Sequence, residues 1–152
     1  MSWLLVSGGQ TGADQAALDV AIARHLPHGG WCPKGRISEA GVIPPRYQLN
    51  ETPSADYLQR TEWNVRDSDA TVIFTIAPAL SGGSKATADF AAAHQKPWLH
   101  ISQDRDAAAS VEKLVRFLAD HHLKTLNVAG SRESEEPSIR NFVQKVLSDI
   151  LA

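Results

Sequence analysis

Short apolar runs alternate with longer amphipathic segments along the chain. The clear runs lie at residues 3–6, 71–76, 98–101 and 126–129, and a weaker one lies at residues 30–32. Runs of β-branched and aliphatic residues about five long are typical of strands that are covered on both faces. Their alternation with helical segments of about ten or more residues predicts strand–helix–strand units around a parallel sheet of about five strands.

The amphipathic segments predict five helices. These helices cover residues 14–25, 54–67, 85–94, 107–121 and 138–151. In the first helix, apolar residues recur at helical spacing and form one stripe, made of Ala17, Leu18, Ala21 and Ile22. Such a stripe packs against a core, so the helices are expected to cover the sheet.

The regular pattern is interrupted between residues 33 and 53. This segment of about twenty residues is rich in proline and also carries Arg36, Arg46 and Tyr47. Loops of that length inside a compact domain are usually either functional or disordered. The prolines, arginines and tyrosine favour an ordered binding flap over a flexible linker.

Composition narrows the classes of protein that fit. A chain of 152 residues with 43% hydrophobic and 21% charged side chains predicts one domain over residues 1–152. A net charge of −2 argues against a general binder of nucleic acid or anionic membranes. The single cysteine, Cys32, excludes an internal disulfide. Without an apolar stretch of about 20 residues or a signal sequence, a cytoplasmic protein is expected.

The turn between the first strand and the first helix is the strongest chemical feature. It contains Gly8, Gly9 and Gly12, which can adopt positive φ and let backbone amides approach a ligand. The N-terminus of the following helix favours negative charge, so a phosphate is the first ligand to expect. Alternatively, the glycines only make a tight turn. Loops at residues 81–84 and 130–134 follow strands in the same way, and together the three loops predict one shared anion site.

Polar side chains in these loops have competing interpretations. Thr11 and Ser84 are expected either to donate hydrogen bonds to phosphate or to cap their own helices. Asp14 either caps the first helix and orders the loop or faces a ribose-like hydroxyl. Gln10 has no evident structural duty and is predicted to face the ligand.

Cationic side chains provide further candidates for anion binding. Lys34, Arg36 and Arg132 are the candidates, and Arg36 and Arg132 lie in loops at the predicted ligand edge. The alternative for each of the three is a solvated surface charge. Arg60 and Asn64 share one face of the second helix. That face is predicted to line the pocket, to form a buried network or to contact another subunit.

Several sequence blocks, in this order, resemble the molybdenum carrier proteins, which belong to the wider SLOG group of Rossmann-like ligand binders. The resemblance covers nearly the whole chain. It rests on residues 7–14, 30–36, 60–65 with 68–71, 82–84 with Thr87, and 127–134. One departure is Ser131, where the family pattern has proline, and this puts the rigidity of the third loop in question.

This resemblance implies a doubly wound α/β fold with helices on both faces of the sheet. It also implies a homo-oligomer, dimer or tetramer, that binds the molybdenum cofactor (molybdopterin) as a carrier rather than as an enzyme. That cofactor is a phosphorylated pterin dithiolene holding an oxo-metal centre. No metal-ligating side chains are expected in the protein, and neither nucleic acid nor a membrane is an expected partner. The cofactor-binding residues so predicted are Gly8, Gly9, Gln10, Thr11, Gly12, Asp14, Lys34, Arg36, Gly82, Gly83, Ser84, Thr87, Gly130, Arg132, Glu133 and Ser134.

Two other functions remain open at this point. A neighbouring branch of the group, the nucleoside-monophosphate phosphoribohydrolases, places a catalytic glutamate on the helix after its glycine-rich loop. Asp89 falls near that position and would then serve hydrolysis of an N-glycosidic bond in a nucleotide. Lys85 and Ala86 depart from the glycine and threonine of that branch. The third alternative is a nucleotide sensor that signals to a partner protein.

Overall fold

A parallel β-sheet forms the centre of the computed structural model, which describes residues 3–151. The strands are β1 Leu4–Val6, β2 His28–Gly29, β3 Trp31–Cys32, β4 Ile37–Ser38, β5 Gly41–Val42, β6 Asn50–Glu51, β7 Ala70–Thr75, β8 Trp98–Ser102 and β9 Thr125–Gly130. Five of them form the main sheet in the order β2-β1-β9-β7-β8, and its neighbouring strands pair in parallel.

Helices cover both faces of this sheet. They are α1 Ala13–Ala23, α2 Tyr57–Arg66, α3 Gly82–Ala93, α4 Gln103–Asp106, α5 Ser110–Asp120 and α6 Ile139–Ile150, with a 3-10 turn at Ala107–Ala109. Helices α1 and α5 pack against α6, whereas α2 packs against α3. Right-handed crossovers that run in opposite directions along a sheet place their helices on opposite faces. The architecture therefore confirms the predicted Rossmann-like α/β fold.

The core lies between the sheet and these helix layers. Strand β7 is buried along its whole length, as its continuous apolar run predicts for a central strand. Phe74 of this strand meets Phe142 of α6 edge to face, with ring centroids 5.8 Å apart. No helix in the range 3–151 has the length and apolar character needed to span a membrane.

The structure places the weakest of the predicted strands differently. The fifth strand of the main sheet is β2, whose His28 pairs with Leu5, and not residues 30–32. Trp31 and Cys32 instead pair with Asn50 and Glu51 in a separate two-stranded sheet. The chain changes direction at Gly30, where φ is +123°. A two-residue strand followed by such a turn leaves too short an apolar pattern for sequence reasoning to detect.

Gly130, the last residue of β9, lets the loop that follows pass close to its neighbours. A Cβ at this position would lie 2.2 Å from the carbonyl oxygen of Phe74 and 2.8 Å from Cβ of Ala13. Both atoms belong to packed elements that cannot easily move. The close approach brings the carboxyl ends of β7 and β9 and the start of α1 together.

We predict that Gly130→Ala lowers the free energy of unfolding by about 3 kcal/mol or more, because the added methyl group must displace backbone. Urea denaturation measures the loss. Gly29→Ala is the matched control, since a Cβ there meets no atom within 4 Å, and its stability should change by less than about 1 kcal/mol. Equal stability of the two variants would show that the close packing at Gly130 is unimportant.

Candidate functional site

A cavity of about 270 Å³ opens at the carboxyl ends of β1, β7 and β9. The loop after β1, one face of α2, the start of α3 and the end of β9 with its following loop form the walls. Connections leaving the edge of a parallel sheet toward opposite faces create such a crevice, which is where open α/β sheets bind ligands. The cavity therefore lies where the sequence predicts a shared site.

The structure brings part of the predicted residue set to this cavity. The predicted residues that line it are Gly8, Gln10, Asp14, Gly83, Ser84, Thr87, Gly130 and Arg132. Those outside its lining are Gly9, Thr11, Gly12, Lys34, Arg36, Gly82, Glu133 and Ser134. The lining also includes Tyr57, Leu58, Arg60, Thr61, Asn64, Asn127, Ala129 and Glu135.

Of the eight additional lining residues, Arg60 and Asn64 belong to the helix face that the sequence predicts for the pocket. The other six were not predicted from the sequence. The helical spacing of Tyr57, Arg60, Thr61 and Asn64 was an available signal for extending this face. The polar residue Asn127 within the largely apolar strand β9 was a second available signal.

A buried ion pair spans the cavity wall. Nη1 of Arg60, on α2, lies 3.2 Å from Oδ2 of Asp14, in the first turn of α1. The side chains of Arg60 and Asp14 are only 11% and 7% exposed. Burial raises the pKa of Asp14 to about 6, although Arg60 opposes the shift. The pair joins helices from opposite faces of the sheet.

Arg60 uses few of its hydrogen-bond donors within the protein. In residues 3–151 its guanidinium makes one hydrogen bond, to Asp14, and its buried Nε has no partner. Gly8 makes room for this side chain, because a Cβ there would lie 2.1 Å from Nη1 of Arg60. The guanidinium carbons of Arg60 and Arg132 lie 5.4 Å and 5.7 Å from the ring centre of Tyr57. Tyr57 thus helps to hold two cations at the cavity.

Asn64 has a different role on the same helix face. Its Oδ1 accepts a hydrogen bond from the backbone amide of Trp31 at 2.8 Å, and its Nδ2 donates to the carbonyl of Trp31 at 2.9 Å. This paired contact fixes α2 against β3. The polar face of α2 therefore lines the cavity and forms a buried network at the same time.

Most amides of the loop after β1 are already engaged within the protein. The amide of Gln10 donates to Asp14 at 3.2 Å, that of Thr11 to Oε1 of Gln10 at 3.0 Å, and that of Ala13 to the carbonyl of Ser131 at 3.1 Å. These contacts shape the loop but leave few donors for a ligand.

The N-terminus of α3 is more accessible. The side chain of Ser81 makes no capping hydrogen bond there, and a Cβ added at Gly83 would meet no atom within 4 Å. The first amides of a helix lack an acceptor one turn back. Those of Ser84 and Lys85 donate to the carbonyl of Ser81 at 3.1 Å and 3.3 Å, so the amide of Gly83, which lines the cavity, is a donor that this end of α3 offers.

The segment at residues 33–53 is ordered and folds over the loop after β1. Arg36 donates to the carbonyl oxygens of Ile43, Pro44 and Tyr47 at 3.3 Å, 2.9 Å and 2.8 Å. Ile43 and Tyr47 are fully buried. Arg36 thus holds the flap together, whereas Lys34 is exposed to solvent.

Glu39 fastens this flap to two of the glycine-containing loops. Its carboxylate accepts hydrogen bonds from Thr11 Oγ1 and from the amide and hydroxyl of Ser134, the last two at 3.1 Å and 2.6 Å. Although burial opposes the shift, the contacts with Ser134 and Thr11 lower the pKa of Glu39. Thr11 and Ser134 are therefore engaged with the flap outside the cavity.

Ser131 secures the third loop to the end of β7. Its hydroxyl donates to Glu136 at 2.6 Å, and the same carboxylate accepts the amides of Ile76 and Ala77, each at 2.8 Å. A network of hydrogen bonds thus orders the loop at the position where the family pattern has proline.

Asp89 lies on the solvent side of α3. Its carboxylate is 65% exposed and lies 3.1 Å from Nζ of Lys85, one helical turn away. Ser84 and Thr87 occupy the inward face of the helix and line the cavity. The structure therefore separates Asp89 from the other candidate residues.

The parallel sheet, its two helix layers and the cavity at the strand ends define a Rossmann-like ligand-binding protein. Residues 5–151 match the model of the circularly permutated YpsA SLOG family, and the chain belongs to that family.

The chain is also similar to a solved crystal structure, that of the "Putative molybdenum carrier protein" from Syntrophus aciditrophicus SB. The two are 46% identical in sequence, with a TM-score of 0.95, over 99% of this chain and 96% of the other. No curated protein matches the chain. These findings confirm the resemblance noted from the sequence and support a ligand-binding role.

We predict that Arg36→Met loosens the flap and lowers the free energy of unfolding by about 2–4 kcal/mol, because three carbonyl groups lose a charged donor. Hydrogen exchange of residues 33–53 should accelerate in this variant. Lys34→Met, which removes an exposed charge from the same segment, serves as the control and should leave exchange unchanged. If both variants exchange alike, Arg36 does not organise the flap.

Proposed function

We propose that the cavity binds the phosphate-bearing part of a small molecule, that this ligand is the molybdenum cofactor, and that the protein carries it as cargo. The observation that supports anion binding most strongly is that Arg60 is buried with few hydrogen-bond partners. The side chain is about nine-tenths buried, and its guanidinium makes one hydrogen bond in the described chain, so it is costly to leave without further acceptors. An oxyanion would supply those acceptors in the planar arrangement that arginine prefers.

Other groups around the cavity add to the attraction for an anion. Arg132 reaches it from the loop after β9, with a side chain 39% exposed. The start of α3 contributes the amide of Gly83 and the positive end of the helix dipole. Two guanidinium groups and a helix N-terminus around one cavity match the donor set that phosphate needs.

The remaining lining suits a flat, polar ring attached to that phosphate. Tyr57 and Leu58 provide an aromatic and an apolar surface at the rim, where Leu58 is 50% exposed. Gln10 and Asn127 add amide groups inside. The enclosed volume of about 270 Å³ is near the lower end for small-molecule sites, and the exposed rim leaves room for a larger ligand. A phosphorylated pterin combines these features.

The position of Asp89 disfavours the glycoside hydrolase as an alternative. A general base must reach its proton directly or through one water, but Asp89 is paired with Lys85 outside the cavity lining. Asp14 is a carboxylate inside the cavity, and Arg60 and the amide of Gln10 both hold it. This arrangement favours binding without turnover.

Mass spectrometry of the small molecule released on denaturing anaerobically purified protein tests the identity of the ligand. We expect a phosphorylated pterin together with molybdenum or tungsten in the metal analysis of the same sample. A nucleotide without metal would contradict the carrier function. In that case, hydrolysis of the nucleotide would indicate the glycoside hydrolase, and binding of the nucleotide without hydrolysis would indicate the sensor.

We further predict that Arg60→Gln reduces the amount of co-purified ligand at least tenfold, because a charged hydrogen bond to an anion contributes about 1.5–3 kcal/mol. Arg66→Gln is the matched control on the same helix, since Arg66 is exposed and paired with Asp67 at 2.8 Å. Thermal unfolding of both variants separates a loss of binding from a loss of fold. Normal ligand content in folded Arg60→Gln would disprove this role for Arg60.

A further inference from the structure

The cavity contains carboxylates as well as arginines, and this balance restricts the anion it can accept. Oδ2 of Asp14 lies 3.2 Å from Nη1 of Arg60, and Oε1 of Glu135 lies 3.6 Å from Nε of Arg132. Each arginine charge in the lining is therefore already matched by an acid. A fully deprotonated oxyanion at Arg60 would share a poorly solvated space with the carboxylate of Asp14, and like charges so placed repel strongly.

Resting on the proposed anion-binding function, we propose that Asp14 determines specificity by accepting a hydrogen bond from an anion that carries its own acidic hydrogen. The chemical class so selected is a phosphomonoester or phosphate bearing a P–OH group. Sulfate and molybdate, which are dianions without such a hydrogen at neutral pH, are rejected. Selection thus depends on one hydrogen placed between the carboxylate and the anion.

The position of Asp14 suits this role. Its Oδ2 accepts hydrogen bonds from Nη1 of Arg60 and the amide of Gln10, both at 3.2 Å, which fixes the orientation of the carboxylate. A carboxylate has about four lone-pair sites, so acceptor capacity remains. The side chain is 7% exposed, and water screens it little.

The charged groups around Asp14 come from few elements. Helix α2 supplies Arg60, and the loop after β9 supplies Arg132 and Glu135. Helix α3 contributes only uncharged residues to the lining, and Glu39 of the flap is engaged with Thr11 and Ser134. Asp14 is thus the carboxylate in direct contact with the arginine that the anion would use.

Protonation decides how the preference changes with pH. A phosphomonoester has a second pKa of about 6 and keeps a fraction of P–OH near neutrality. Because burial raises the pKa of Asp14 to about 6, the aspartate itself carries a hydrogen in more acidic solution. Sulfate is then accepted, since Asp14 supplies the hydrogen that sulfate lacks. The preference for phosphate should therefore be strong at neutral pH and weak in acid.

Isothermal titration of the full chain with inorganic phosphate and with sulfate tests this inference. Near pH 7 we expect phosphate to bind at least tenfold more tightly than sulfate. Between about pH 7 and pH 5 the affinity for sulfate should rise about tenfold, as expected for uptake of one proton near pH 6. This pH series uses the unchanged protein, so it remains decisive even if a variant fails to fold.

Asp14→Asn removes the charge while keeping a side chain of similar shape. In this variant sulfate should bind within about threefold of phosphate, with little dependence on pH, because the amide can donate to either anion. Asp89→Asn is the matched control, since it removes an exposed carboxylate outside the cavity lining. It should keep the full preference for phosphate.

The outcomes separate this inference from the proposed function. Sulfate binding as tightly as phosphate near pH 7, or Asp14→Asn retaining the preference, would overturn the role of Asp14 and leave anion binding intact. The absence of binding by either anion in the unchanged protein would overturn both. A sulfate affinity independent of pH would likewise reject the shared hydrogen.

Discussion

The buried ion pair between Asp14 and Arg60 is the interaction on which the site depends. It joins α1 and α2, which belong to the two layers on opposite faces of the sheet, at the edge where the strands end. Removing one partner of such a pair leaves an uncompensated buried charge, at a cost of about 3–5 kcal/mol. The same contact aims the guanidinium at the cavity and requires a glycine at position 8, because any Cβ there would collide with Arg60.

Around this pair, acidic residues hold the loops in place and arginines face the cavity. Glu39 and Glu136 accept hydrogen bonds from loop amides and hydroxyls, and so fasten the flap and the third loop in place. Arg60 and Arg132 keep donors available at the cavity. Loops fastened by several hydrogen bonds to carboxylates are rigid enough to position cations before a ligand arrives, which reduces the entropy lost on binding.

The sequence predicted the framework well because long, periodic patterns record burial on one or both faces. The apolar run of β7 and the helical stripe of α1 are examples, and both elements lie within a few residues of their predicted bounds. Tertiary contacts decided the rest. The use of Arg36 as a clamp for carbonyl groups depends on a flap whose path no periodicity reveals. The engaged amides of the first loop likewise depend on Asp14 and on the distant Ser131.

A crystal structure of the protein with bound phosphate would show whether the buried side chain of Arg60 is an anion-binding group that its ligand completes. We predict an anion within about 3.2 Å of the guanidinium of Arg60, close to the start of α3 and to the carboxylate of Asp14. An anion held by the amides of the first loop, with Arg60 contacting only Asp14 and water, would contradict it.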